Sequence, residues 1–114
     1  MNSLVQTIIK QLDSLNSARV DDLYFYLDGN IFSVAFNTRW LYYERITRSE
    51  FLSEIDELKK LFDRFLNVYP EFKLYLNDKQ IIYKLWYTED KSYSFTICEE
   101  KNDTIYWSPN IKEL

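Results

Sequence analysis

Apolar residues at Leu4, Val5, Ile8, Ile9, Leu12 and Leu15 recur at the three-and-four spacing of one helical face, which predicts an amphipathic helix ending near Ser17. Ser3 followed by Gln6 offers a capping box at its start. Residues 19–22 carry no periodic apolar face. From Leu23 the period changes to two: Leu23, Phe25 and Leu27 point one way, Tyr24 and Tyr26 the other. Asp28-Gly29-Asn30 then suits a tight hairpin turn, with Ile31 to Phe36 as the return strand. A loop of Gly29-Asn30 pairs Leu27 with Phe32, Phe25 with Val34 and Leu23 with Phe36. A loop of Asp28-Gly29 is the stronger turn signal but sets Leu27 against Asn30, and both registers keep the same face inward.

Residues 37–45 hold Trp40, Leu41, Tyr42 and Tyr43 and predict a third strand. The next helix has Thr47 as N-cap, Glu50 three residues on, and Ile46 placed to staple against Phe51. Its apolar stripe is Phe51, Leu52, Ile55, Leu58, Phe62, Phe65, Leu66 and Tyr69, and Pro70 is expected to stop it. The remainder predicts strands: Glu71 to Leu76, Gln80 to Thr88, Tyr93 to Ile97 and Thr104 to Trp107. A loop at 89–91 would pair Tyr87 with Tyr93, Leu85 with Phe95 and Tyr83 with Ile97. Connections this short exclude parallel crossovers. The expected fold is therefore α+β: an antiparallel sheet of five to seven strands with two helices packed on one face, ordered α-β-β-(β)-α-β-β-β-(β), with residues 1–114 forming one domain.

Composition narrows the function classes. Fourteen basic against eighteen acidic residues give a net charge of −4, which disfavours phosphate backbones and anionic membranes as partners. The first segment lacks a basic n-region and a continuous apolar run, and no stretch is long and apolar enough to span a bilayer. The single cysteine, Cys98, has no partner for an internal bridge and fits a reducing compartment, so the expected location is cytoplasmic.

Catalytic chemistry finds little to work with. There is no histidine, the commonest proton carrier near neutral pH. Cys98 is expected on a strand in opposite phase to Phe95 and Ile97, as a structural thiol. One glycine cannot build a phosphate-cradling loop, and a Cys/His zinc site lacks ligands. The acid pairs Asp21/Asp22, Glu89/Asp90 and Glu99/Glu100 could serve two-carboxylate hydrolysis or a hard metal ion, but none has ligand spacing. The chain is thus expected to have no cofactor or metal and to be no enzyme, a small carboxylate-dependent hydrolase being the remote alternative.

Surface aromatics remain. With Leu23, Phe25 and Leu27 inward, Tyr24 and Tyr26 lie on the opposite face, and Trp40 and Tyr42 extend that patch. Asp21 and Asp22 supply steering charge. Tyrosine and tryptophan dominate binding hot spots because they bury area with few torsions to freeze. The competing explanation for ten tyrosines is codon bias, since Lys, Asn, Ile, Tyr and Phe are all abundant and alanine occurs only twice.

In size, charge, compartment and aromatic surface the whole chain resembles bacterial immunity proteins, which neutralise a cognate toxin by direct binding. No residue motif carries the likeness, so no site is transferred from it. The resemblance implies a protein partner such as a basic toxin domain; the chain is expected to be a monomer or homodimer and, from its charge, to bind neither nucleic acid nor membrane. The element order also looks like the chaperones that hold type III secretion effectors, although those usually end in a helix.

Overall fold

The first helix forms where the spacing places it. In a computed structural model, which describes residues 2–38, 48–90 and 93–109, α1 (Ser3–Leu15) buries Val5, Ile8 and Leu12 and leaves Leu4 and Leu15 exposed. Its N-cap is Asn2 rather than Ser3: the Asn2 side chain accepts the Leu4 N–H at 2.8 Å. Asn16 ends the helix in the left-handed region at φ 61°, donating its N–H to Leu12 at 3.0 Å.

The next four residues form a strand that the sequence reading left out, β1 (Ser17–Val20), paired antiparallel with β2 (Leu23–Asp28). β3 (Ile31–Thr38) returns from β2 in the register that sets Leu27 opposite Phe32, Phe25 opposite Val34 and Leu23 opposite Phe36. The Gly29-Asn30 loop therefore wins over the Asp28-Gly29 loop, because it gives an unbroken apolar face. Gly29 sits at φ 60°, and a Cβ there would meet nothing within 4 Å. Gly29→Ala should then cost about 1 kcal/mol in urea unfolding, from backbone strain alone, and Gly29→Asn less, because Asn tolerates this conformation.

β3 and its next neighbour in the sheet are joined by helices. α2 (Arg48–Val68) buries Phe51, Ile55, Leu58, Phe62 and Leu66, while Leu52 is exposed. The expected Thr47 cap, the Ile46 staple and residues 39–45 of the strand expected over 37–45 lie outside the described residues, while Asn37 and Thr38, where that strand was to begin, continue β3. Pro70 does end α2, but it also opens α3 (Pro70–Tyr75), occupying a first-turn position where a missing N–H is harmless. The strand expected over Glu71 to Leu76 is thus a helix. Phe72 and Leu76 share a face in either conformation, but only the helix leaves Leu74 76% exposed.

The purely antiparallel sheet is overturned by the pairing of β3 with the next strand. The α2–α3 connection is long enough to carry the chain back along the sheet, so β4 (Gln80–Asp90) runs parallel to β3, with Phe32 beside Ile81, Val34 beside Tyr83 and Phe36 beside Leu85. β5 (Tyr93–Lys101) and β6 (Thr104–Trp107) follow antiparallel. Among the described residues the sheet is mixed, with six strands in chain order and three helices rather than two. The β4–β5 register also differs from expectation. Asp90 pairs with Tyr93, Tyr87 with Phe95, Leu85 with Cys98 and Tyr83 with Glu100, because the ladder is irregular between Leu85 and Trp86 and again between Thr88 and Asp90.

All three helices pack on the face carrying Leu23, Phe25, Phe32 and Val34. One buried cluster joins α1, α2 and α3 to β1–β3; a second joins Phe51 and Ile55 of α2 to Leu85, Tyr87, Ile97 and Cys98. Phe36 and Tyr83 pack against both. The irregular ladder explains why Cys98 and Ile97, adjacent in sequence, are both buried rather than in opposite phase.

Candidate functional site

The helix-free face of the sheet is built from the alternate residues. On β2 these are Tyr24 and Tyr26, opposite Ala35 and Ser33 of β3; on β4 they are Ile82, Lys84 and Trp86. β2 and β4 flank β3, so their backbones stand about 10 Å apart. The Trp86 ring nevertheless lies 5.7 Å from that of Tyr24 and 5.1 Å from that of Tyr26, each tilted. The rings meet across β3 because Ser33 and Ala35, both buried, are small enough to leave the space above the strand free. Ile82, only 6% exposed, continues the apolar ground beneath them.

Charge borders this ring set. The Arg19 guanidinium lies 5.0 Å from the centre of the Tyr24 ring and donates from Nε to the Asp21 carbonyl at 3.0 Å. Lys84 pairs with Glu99 at 3.6 Å across β4 and β5. Tyr24, Tyr26 and Trp86 are half-buried, and burial followed by the neighbouring Tyr24 pushes the Tyr26 phenol up from its ordinary value.

The residues singled out from sequence do not form one patch. Tyr24 and Tyr26 belong to the ring set. Asp21 and Asp22 are exposed in the β1–β2 turn and line a recess on the helix side, facing Arg64 of α2. Trp40 and Tyr42 lie outside the described residues. Trp86 was missed by the sequence reading, although phase along Ile82, Lys84 and Trp86 could have found it.

Of the carboxylate pairs, Glu99 and Glu100 diverge. They are neighbours on a strand and point to opposite faces: Glu99 to Lys84, and Glu100, 5% exposed, to Lys59 of α2 at 3.1 Å. Glu100 also accepts the Asp103 N–H at 3.0 Å, tying the β5–β6 turn to α2. That turn holds Asn102 and Asp103 at positive φ. Burial, helped by the Asp63 and Glu100 carboxylates, raises the Tyr83 phenol to about 12. Burial, with Glu54 and Glu99 nearby, likewise raises the Cys98 thiol to about 12. Cys98 is 1% exposed, so an aromatic disulfide reagent at pH 8 should react with the native protein at least about a thousandfold more slowly than with the urea-unfolded chain, the ratio set by opening of the fold. Fast stoichiometric labelling of the native protein would contradict its placement.

Among the described residues no cluster of acidic or thiol groups could hold a metal ion, and no helix is long and apolar enough to cross a membrane. No protein family matches the chain, and no curated protein or solved structure matches it either.

Proposed function

We propose that this chain is a protein-binding domain of the toxin-immunity kind, which neutralises a cognate toxin by occluding it. The observation that carries this reading is the Tyr24–Tyr26–Trp86 ring set on the sheet face opposite all three described helices. Half-buried rings over small residues are already ordered. A partner docking there freezes few torsions and gains aromatic area with phenol and indole groups to hydrogen-bond at the rim. Arg19 and the Lys84–Glu99 pair give that rim mixed charge, so affinity rests on the rings and charge chiefly sets orientation. The net charge of −4 favours a basic partner at longer range.

Co-expression with the product of the adjacent upstream gene tests the reading. A co-purifying complex and relief of growth arrest are expected. Trp86→Ala and Tyr26→Ala should each weaken the complex about thirtyfold or more, as hot-spot truncations do, with the fold retained by circular dichroism. Absence of both complex and protection would sink the immunity reading. A complex indifferent to both variants would move the interface off this face.

A further inference from the structure

α2 carries more apolar surface than the sheet beneath it covers. Its core stripe is Leu58, Phe62 and Leu66, but Leu61, Phe65 and Val68 form a second stripe rotated to one side. β1 is the edge strand and stops at Val20; of the second stripe Phe65 packs against the core, while Val68 is exposed. Between it and the β1–β2 turn lies a recess of about 350 Å³, near the lower end of the volumes that hold small ligands. Leu61 and Phe65 form one wall, and Val20 and Leu23 the other. Val68, 66% exposed, stands at its mouth.

The polar groups on this recess are of opposite sign and come from opposite sides. Asp21 and Asp22 reach it from the turn and Arg64 from the helix. Among the described residues their side chains make no ion pair with one another or with any other group. Apolar walls bordered by a carboxylate pair from the turn and a guanidinium from the helix match a ligand that carries an ammonium and a carboxylate side by side next to an apolar body.

We propose that this recess binds a small zwitterion with an apolar body, the chemistry of a free aliphatic or aromatic amino acid. The ammonium sits at Asp21 and Asp22, the carboxylate on the Arg64 fork, and the side chain against Leu61 and Phe65. Arginine suits this role because its planar donors grip a carboxylate in pairs. The site lies on the opposite side of the sheet from the Tyr24–Tyr26–Trp86 rings and does not depend on the function proposed for them.

Amide-resolved NMR titration of the full chain with L-leucine and with L-tryptophan, each to about 10 mM, reads the site directly. Shifts are expected at residues 20–23 and 61–69. N-acetyl-L-tryptophan, without the ammonium, and L-tryptophan amide, without the carboxylate, should each bind about tenfold or more weakly than L-tryptophan. Arg64→Met, a change at an exposed position, should bind L-tryptophan and its amide alike. Four outcomes would overturn the proposal: no shifts in this region, equal response to uncharged indole, an undiminished response to both blocked analogues, or a carboxylate preference that survives Arg64→Met.

Discussion

Phe25→Ala should lower the unfolding free energy by about 3–5 kcal/mol, a large fraction of the roughly 5–15 kcal/mol that holds a domain of this size together. Phe25 is fully buried at the centre of an aromatic core, with the rings of Phe32 at 5.3 Å and of Phe62, Phe65 and Phe72 each at 5.7 Å. Those neighbours come from β3, α2 and α3, so truncation opens a void where three elements meet, and none can collapse into it without disturbing the other two. Urea unfolding followed by fluorescence gives the measurement. Two companion variants separate burial from composition. Leu76→Ala, at a site 4% exposed, should cost about 2–5 kcal/mol, whereas Leu74→Ala, 76% exposed, should stay within about 0.5 kcal/mol. Were Glu71 to Leu76 a strand, Leu74 and Leu76 would share a face and the two losses would be similar.

That contrast marks where the sequence can be read and where it cannot. The β2–β3 hairpin and its inward face were legible because Leu23, Phe25 and Leu27 alternate with tyrosines and one glycine marks the turn, while the choice between the two loop registers was left to the structure. A one-residue slip would have turned Phe25 and Val34 to the wrong face. α2 was legible because its apolar stripe runs for several turns. α3 was not: over six residues Phe72, Leu74 and Leu76 satisfy period two, while Phe72 and Leu76 alone satisfy the helical period. Pro70 was read as a stop when it is also a start. That misreading put a strand where the second half of the crossover lies, although α2 by itself is long enough to carry the chain to a parallel neighbour, and the parallel β3–β4 pairing was lost with it. β1 escaped notice because four residues with only two apolar side chains, Ala18 and Val20, give too little pattern. The β4–β5 register was out of reach for another reason: ladder irregularities leave no mark in the alternation of side chains.

The candidate surface was half legible. Phase alone placed Tyr24 and Tyr26 opposite the core. Their partner Trp86 lies sixty residues on in sequence and joins them only through the β3–β4 pairing that had been misread. The closure of the three rings depends equally on Ser33 and Ala35 being small, a property of the strand between them that becomes meaningful only once β4 is known to lie beside β3. Asp21 and Asp22 were grouped with the tyrosines by sequence proximity. Turns project side chains to either face, however, and these two line the recess against α2.

Stability should fall steeply as pH rises above 9, with Cys98 and Tyr83 contributing most and the raised phenols of Tyr26 and Tyr75 adding to the fall above 10. In the unfolded chain the thiol loses its proton near 9 and the Tyr83 phenol near 10; in the fold burial holds both until about 12. Between those limits the unfolded state has released protons that the folded state still binds, so raising the pH favours unfolding. The contribution of each group is fully present below its unfolded value and is lost progressively on the way to about 12. A single group gives a slope of at most about 1.4 kcal/mol per pH unit, so Cys98 acts alone from pH 9 to 10 and Tyr83 steepens the descent above 10. Urea midpoints measured from pH 8 to 11 trace this profile. Cys98→Ala should lower stability by a constant amount at neutral pH and flatten the descent between 9 and 10, while Tyr83→Phe should leave that first descent and reduce the steepening above it, the raised phenols of Tyr26 and Tyr75 supplying the rest. Cys98 and Tyr83 lie on the helix face of β4 and β5, away from the Tyr24–Tyr26–Trp86 rings. Binding at those rings should therefore keep its strength at pH 9 in every variant that remains folded. A profile level from 9 to 10, or an unchanged slope in Cys98→Ala, would mean that the thiol is not the buried acid that its 1% exposure makes it.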